Sequence, residues 1–94
     1  MPFYVRLIKL TDQGVKDIKN LDKHIATARK ILEANGGKLV SAYATLGRYD
    51  LVIVVEAPDD KTSAKIASQV ASEGILRPES MAAVPLDEFL KSLK

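Results

Sequence analysis

Hydrophobic residues recur along the chain with two periods, and the switches between them mark the elements. From Phe3 to Leu10 the period is two: Phe3, Val5 and Leu7 fall on one face, and Tyr4, Arg6, Ile8 and Leu10 on the other. Both faces are largely apolar, which predicts a central strand covered on both sides. Thr11 and Asp12 then open a short helical turn through Lys19, either residue serving as its cap. Asn20 and Asp22 offer a second helix start, and Ile25, Ala28, Ile31 and Leu32 form a helical stripe. Asn35-Gly36-Gly37 stops that helix, because glycine adopts the left-handed conformation past a helix end without strain.

Two strand-like runs follow, Leu39 to Leu46 and Leu51 to Val55, with Gly47-Arg48 between them. A glycine at the first loop position suits a type II′ hairpin turn, which needs positive φ there. A two-residue loop pairs Leu46 with Tyr49, Thr45 with Asp50, Ala44 with Leu51 and Tyr43 with Val52. Directly paired residues share a face. One face then carries Val40, Ala42, Ala44, Leu46, Tyr49, Leu51, Ile53 and Val55 and is almost wholly apolar. The other carries Leu39, Ser41, Tyr43, Thr45, Asp50, Val52, Val54 and Glu56 and is mixed. A four-residue loop preserves this sorting, whereas a three-residue loop would scramble it.

Ala57-Pro58-Asp59-Asp60 ends the strand and starts a helix, with Asp59 as N-cap and Asp60 at the positive end of the helix dipole. Its stripe is Ile66, Ala67, Val70 and Ala71, small enough for the helix to lie close to a sheet, and Gly74 ends it. Leu76 to Val84 predicts a fourth strand. Pro78 within it lacks a ladder donor, which places the strand at an edge. After Pro85, residues Leu86 to Lys94 read as a short terminal helix with Phe89, Leu90 and Leu93 on one side.

The order β-α-β-β-α-β plus a terminal helix is that of an α+β, ferredoxin-like fold: an antiparallel sheet in the order 4-1-3-2 with two helices on one face. Right-handed crossovers put both helices on the same side. The clean hairpin face packs under them. The mixed face, to which Tyr4, Ile8, Tyr43, Val52 and Val54 are assigned, is left uncovered. An exposed apolar patch of this kind marks an interface, so the expectation is a homodimer or higher homo-oligomer formed sheet to sheet.

Composition narrows the picture. The 94 residues are expected to form a single domain, 1–94, near the small end of the independent range, where self-association adds burial. There is no cysteine, hence no disulfide framework or thiolate chemistry. No run is long enough to cross a membrane, and the N-terminus lacks the pattern of a secretory signal, so the cytoplasm is the expected location. The net charge is +2, with lysines interspersed among acids, and no basic cluster points to nucleic acid.

The stretch Leu46-Gly47-Arg48-Tyr49-Asp50, followed by a strand and then by Glu56-Ala57-Pro58-Asp59-Asp60, resembles the GYD domain family, whose signature is Gly-x-Tyr-Asp. The opening Tyr4-Val5 strand and Thr11-Asp12-Gln13-Gly14 resemble its N-terminal pattern, so the likeness spans almost the whole chain. The resemblance implies a relative of the dimeric α/β-barrel proteins, and it implies no particular activity. The Gly-x-Tyr-Asp turn is also similar to the effector-binding module of leucine-responsive regulators, but no helix-turn-helix precedes it here.

Candidate chemistry is sparse. His24, the single histidine, sits one residue off the Ile25 stripe, which predicts a surface position. No second histidine or carboxylate cluster completes a metal site, and no cofactor is implied. Asn35-Gly36-Gly37-Lys38 lacks the full phosphate-loop spacing and follows a helix, so it reads as a helix stop. Ser41 and Ser80 have no evident base partner. Tyr49 is expected to fill the end of the core, and Asp50 to accept backbone N–H groups around its own turn. The alternative is a ligand site on the mixed face, where Tyr43, Thr45 and Asp50 would set phenol, hydroxyl and carboxylate on an apolar wall. Arg6 is expected to lie near Glu56 on that face as an ion pair, while the faces of Arg77 and Glu79 are not fixed by the pattern. The functional expectation is a small-molecule-binding module with its site at or near the subunit interface. The alternatives are a cofactor-free monooxygenase-like enzyme, an effector-binding module without a DNA-binding part, and a structural assembly subunit.

Overall fold

Local signals set the element ends. In the computed structural model, which describes residues 1–94, strand β1 spans Phe3–Leu10 and helix α1 spans Asp12–Lys16. Thr11 caps α1: its Oγ1 accepts from Gly14 N–H at 3.0 Å and donates to Gly74 O at 2.6 Å, tying two distant loops together. A 3₁₀ turn over Ile18–Asn20 replaces the rest of the expected helical turn and leads into α2, Leu21–Ala34. Asn35 ends α2, with Gly36 following at φ +80°. Strands β2 (Lys38–Ala44) and β3 (Leu51–Glu56) form the hairpin. Helix α3 (Asp60–Ser72) starts from Asp59, whose side chain accepts from Thr62 N–H at 2.7 Å. That bond holds the Asp59 carboxyl below the usual carboxylate range. Strand β4 (Leu76–Ala83) and helix α4 (Leu86–Ser92) complete the chain.

The sheet runs β2-β3-β1-β4, antiparallel throughout, with Pro78 on an edge strand. This is the expected ferredoxin-like order read from the other edge. Helices α2 and α3 cover one face over a core that includes Ile8, Leu32, Val55, Ile66, Val70 and Leu76. Each such aliphatic side chain contributes roughly 1.5–3 kcal/mol on burial.

The hairpin register agrees with the pairing of Ala44 with Leu51 and Tyr43 with Val52. The ladder stops there. Thr45 N–H still donates to Asp50 O at 2.9 Å, but residues 46–49 form the loop, and Leu46 is fully exposed rather than a core-facing partner of Tyr49. Gly47 has φ +108°, with nothing near its missing Cβ, so backbone shape alone calls for glycine.

Two face assignments are corrected. A bulge between Leu39 and Ser41 inserts one residue and reverses the alternation before it. Leu39 therefore aligns with Val55 and packs on the core, while Val40 is 48 % exposed. The second correction concerns β1, which pairs Tyr4 with Val55, Arg6 with Ile53 and Ile8 with Leu51. Tyr4, Arg6 and Ile8 are thus buried on the helix-covered face. No short turn joins β1 to β3, so no local signal fixes that register. The uncovered face instead carries Phe3, Val5 and Leu7 beside Glu56, Val54 and Val52. Arg77 and Glu79 share it, opposite Lys9 and Leu7.

Helix α4 buries none of its residues; Leu86, Phe89, Leu90 and the following Leu93 are all about half exposed or more.

Candidate functional site

The helix-covered face is incompletely filled. Small side chains converge there from three elements: Ala28 on α2, Ala67 on α3, and Ala42 and Ala44 on β2. Ala42 and Ala44 pair with Ile53 and Leu51 on the covered side but remain exposed. The result is an open cleft of about 200 Å³ between the helices and the sheet, with fifteen of its eighteen lining residues hydrophobic. The small stripe of α3, which suggested close packing on the sheet, leaves this space at Ala67.

Arg6 lies in the wall of the cleft and is only 4 % exposed. Its Nη1 donates to Ser80 Oγ at 2.6 Å, and its Nη2 donates to Ser63 O and Ser63 Oγ, both at 3.2 Å. No carboxylate forms an ion pair with it; the expected partner Glu56 sits opposite Phe3 and Lys38. Burial pushes the guanidinium below its ordinary pKa. Ser63 reaches this position because it precedes Ile66 by three residues and Val70 by seven, on the buried stripe of α3. That spacing was readable in the sequence, but nothing local linked Ser63 or Ser80 to Arg6. Arg29 also lines the cleft; its Nε is 3.5 Å from Glu33 Oε2 in an exposed pair.

At the start of α3, Tyr4 Oη donates to Asp60 Oδ1 at 2.6 Å. The hydrogen bond to Asp60 pushes the phenol up to about 12, with burial adding to the shift.

Tyr43, Thr45 and Asp50 do not assemble into a pocket on the uncovered face. Tyr43 is 63 % exposed and borders the cleft, and Thr45 Oγ1 donates to Tyr49 O at 2.7 Å. Asp50 does satisfy backbone, but not that of its own turn. Its Oδ2 accepts from Leu10 N–H at 2.8 Å, and its own N–H donates to Ile8 O at 2.9 Å. Tyr49 is not a core residue: its hydroxyl donates to Glu79 Oε2 at 2.7 Å on β4, which raises the phenol pKa. Gly47 therefore shapes the hairpin loop, Asp50 fastens it to β1, and Tyr49 reaches β4.

His24 Nε2 meets Asp17 Oδ2 at 2.7 Å and is partly buried, so it joins α2 to the loop after α1. That bond, together with one from Asn20, holds Asp17 below the usual carboxylate range. No group of three or more His, Asp or Glu side chains is arranged to hold a metal, and no helix is long and apolar enough to cross a membrane.

The chain is similar to proteins with two kinds of name. A glutamine synthetase and cystathionine beta-lyase binding protein of Thermus thermophilus is 35 % identical over the full length of both chains. Two solved structures share the fold at low identity. One is a protein that also comes from Thermus thermophilus, with TM-score 0.56, 21 % identity, and coverage of 90 % of this chain and 95 % of that one. The other is the 5-chloro-2-hydroxyhydroquinone dehydrochlorinase of Burkholderia phenoliruptrix in complex with 2,5-dihydroxybenzoquinone, with TM-score 0.58, 16 % identity, and coverage of 90 % and 93 %. The sequence model of the GYD domain matches residues 4–93, which include the Gly47-Arg48-Tyr49-Asp50 loop, and the chain belongs to the GYD domain family.

Proposed function

We propose that this GYD protein is a self-associating module that binds a small, largely apolar molecule in the cleft between the helices and the sheet. The observation that carries the reading is the open apolar cleft of about 200 Å³. An apolar cavity of about 150 Å³ suffices for a benzene ring, so a flat molecule of one ring with a short substituent matches the space. The lining residues include no carboxylate, histidine or serine, and the one phenol, Tyr43, is largely exposed, which favours binding over general acid–base catalysis of the monooxygenase-like kind. Self-association is assigned to the uncovered face, where Phe3, Val5, Leu7, Val52 and Val54 form an apolar wall. The ligand site then lies across the sheet from the subunit contact rather than on it.

The test is thermal unfolding with cinnamamide, an uncharged, flat, one-ring probe. A ligand at one hundred times its Kd stabilises the native state by about 2.7 kcal/mol. For a chain of this size that raises Tm by roughly 10 °C or more. Saturable stabilisation that shrinks in Ala67→Leu is expected. No rise in Tm up to the solubility limit of the probe would overturn the reading.

A second reading is supported by α4. Its apolar side chains, Leu86, Phe89, Leu90 and the adjacent Leu93, have no place in the protomer's core. The Thermus relative is named for binding two enzymes, and α4 is the element available for such a contact. Surface-immobilised glutamine synthetase of Thermus thermophilus should retain the protein and release Phe89→Glu. Equal retention of both would remove α4 from the contact.

A further inference from the structure

We infer that the cleft selects aromatic monoanions, with the ligand's oxyanion paired to Arg6; this rests on the cleft being the ligand site. Arg6 is the one buried cation in a largely apolar wall. A guanidinium has five N–H donors. Three hydrogen bonds engage Nη1 and Nη2, all to neutral oxygens of Ser63 and Ser80, and none of them uses Nε. No buried side-chain nitrogen lacks a partner, so Nε keeps some exposure, and the cleft is the cavity that Arg6 lines.

The charge on Arg6 is also uncompensated. The molecule's two ion pairs are His24 with Asp17 and Arg29 with Glu33, and neither involves Arg6. A cation held out of water without a counter-charge is costly, and a purely structural role would be served as well by an uncharged side chain. The other charged residue lining the cleft, Arg29, is also a cation, and no acid lines it. The site is therefore a largely apolar slot in which Arg6 is the buried, unpaired positive donor group, Arg29 being paired with Glu33. Its complement is a flat apolar body ending in a carboxylate or a phenolate-type oxygen. The free Nε–H of Arg6 suits an oxyanion, because a hydrogen bond between two charged groups is stronger than one to a neutral oxygen. Ser63 and Ser80 act as positioning residues, holding Nη1 and Nη2 so that Nε is left for the ligand.

The experiment compares cinnamate with cinnamamide, which match in shape and differ in charge, by calorimetric titration of the wild-type protein. Cinnamate should bind at least about tenfold more tightly, the gain expected when a hydrogen bond acquires a charged partner. In proton–nitrogen NMR the Arg6 Nε–H resonance should move further on adding cinnamate than on adding cinnamamide. Arg6→Gln should bring the two affinities together, and Arg6→Lys should keep part of the preference. Equal wild-type affinities, or a still Nε–H signal in the presence of bound cinnamate, would overturn the inference while leaving the cleft as a binding site. Failure of both probes to bind would instead overturn the cleft itself. The wild-type comparison and the NMR signal need no variant, so the outcome does not depend on Arg6→Gln folding.

Discussion

Filling the cleft from α3 should stabilise the protein, and the sign of that effect is diagnostic. Ala67 faces the open space between α3 and the sheet, next to the fully buried Ile66. Replacing it by leucine adds three carbons. At about 0.8 kcal/mol for each buried methylene the gross gain is roughly 2 kcal/mol. Leucine and alanine differ little in helix propensity, so the backbone term is small. Fixing the new rotamer costs about 0.5–1 kcal/mol. The net expectation for Ala67→Leu is a stabilisation of about 1 kcal/mol, which for a chain of this length raises Tm by about 4–8 °C. In a closed core the same substitution would overpack and cost about 1–3 kcal/mol. Urea unfolding of the two proteins, with equal slopes, reads the difference directly. A destabilisation of about 1 kcal/mol or more would mean that the space is absent in solution and that the cleft closes on itself.

Three further outcomes follow from the geometry. Val54→Asp places a charge amid the apolar wall of the uncovered face and should shift the light-scattering mass toward the protomer; an unchanged mass would refute the face assignment. Asp50→Ala removes the acceptor of Leu10 N–H and should cost about 1 kcal/mol, and Asp50→Asn less, with cinnamamide affinity intact in both. A fall in that affinity would instead tie Asp50 to the ligand. The Tyr4 phenol is raised from its ordinary 10.0 to about 12 in the folded state, so between those values the native chain keeps a proton that the unfolded chain has lost. Stability should therefore fall as pH rises through that window, and Tyr4→Phe should flatten this alkaline limb in pH-dependent unfolding.

Local chemistry carried most of the fold. Gly36 past the end of α2, Asp59 at the start of α3 and the proline in β4 each act within a few residues and stand where the pattern places them, and Gly47 turns the hairpin, though through a longer loop than two residues. What the pattern missed depends on distant partners. The bulge at Leu39–Ser41 is an extra residue that no composition marks, and it exchanged the faces of Leu39 and Val40. The pairing of β1 with β3 has no connecting turn to set it, so the alternation alone puts Arg6 on the wrong side of the sheet. Once on the covered side it meets Ser63 and Ser80, at separations of 57 and 74 residues, which no local window spans. The cleft is harder still to read, because it is made by what alanines on three elements do not fill. Tyr49 and Asp50 stood out by their place in the signature, but their partners Glu79 and Leu10 lie on other strands.

A cleft that takes an aromatic anion on the helix-covered face is tested most directly by a crystal structure of the wild-type protein with cinnamate. The ring should lie between α2 and α3, over Ala28 and Ala67, with its carboxylate within hydrogen-bonding distance of Arg6 Nε. Cinnamate bound on the uncovered face beside Val52 and Val54, or a cleft filled by the protein's own side chains, would contradict it.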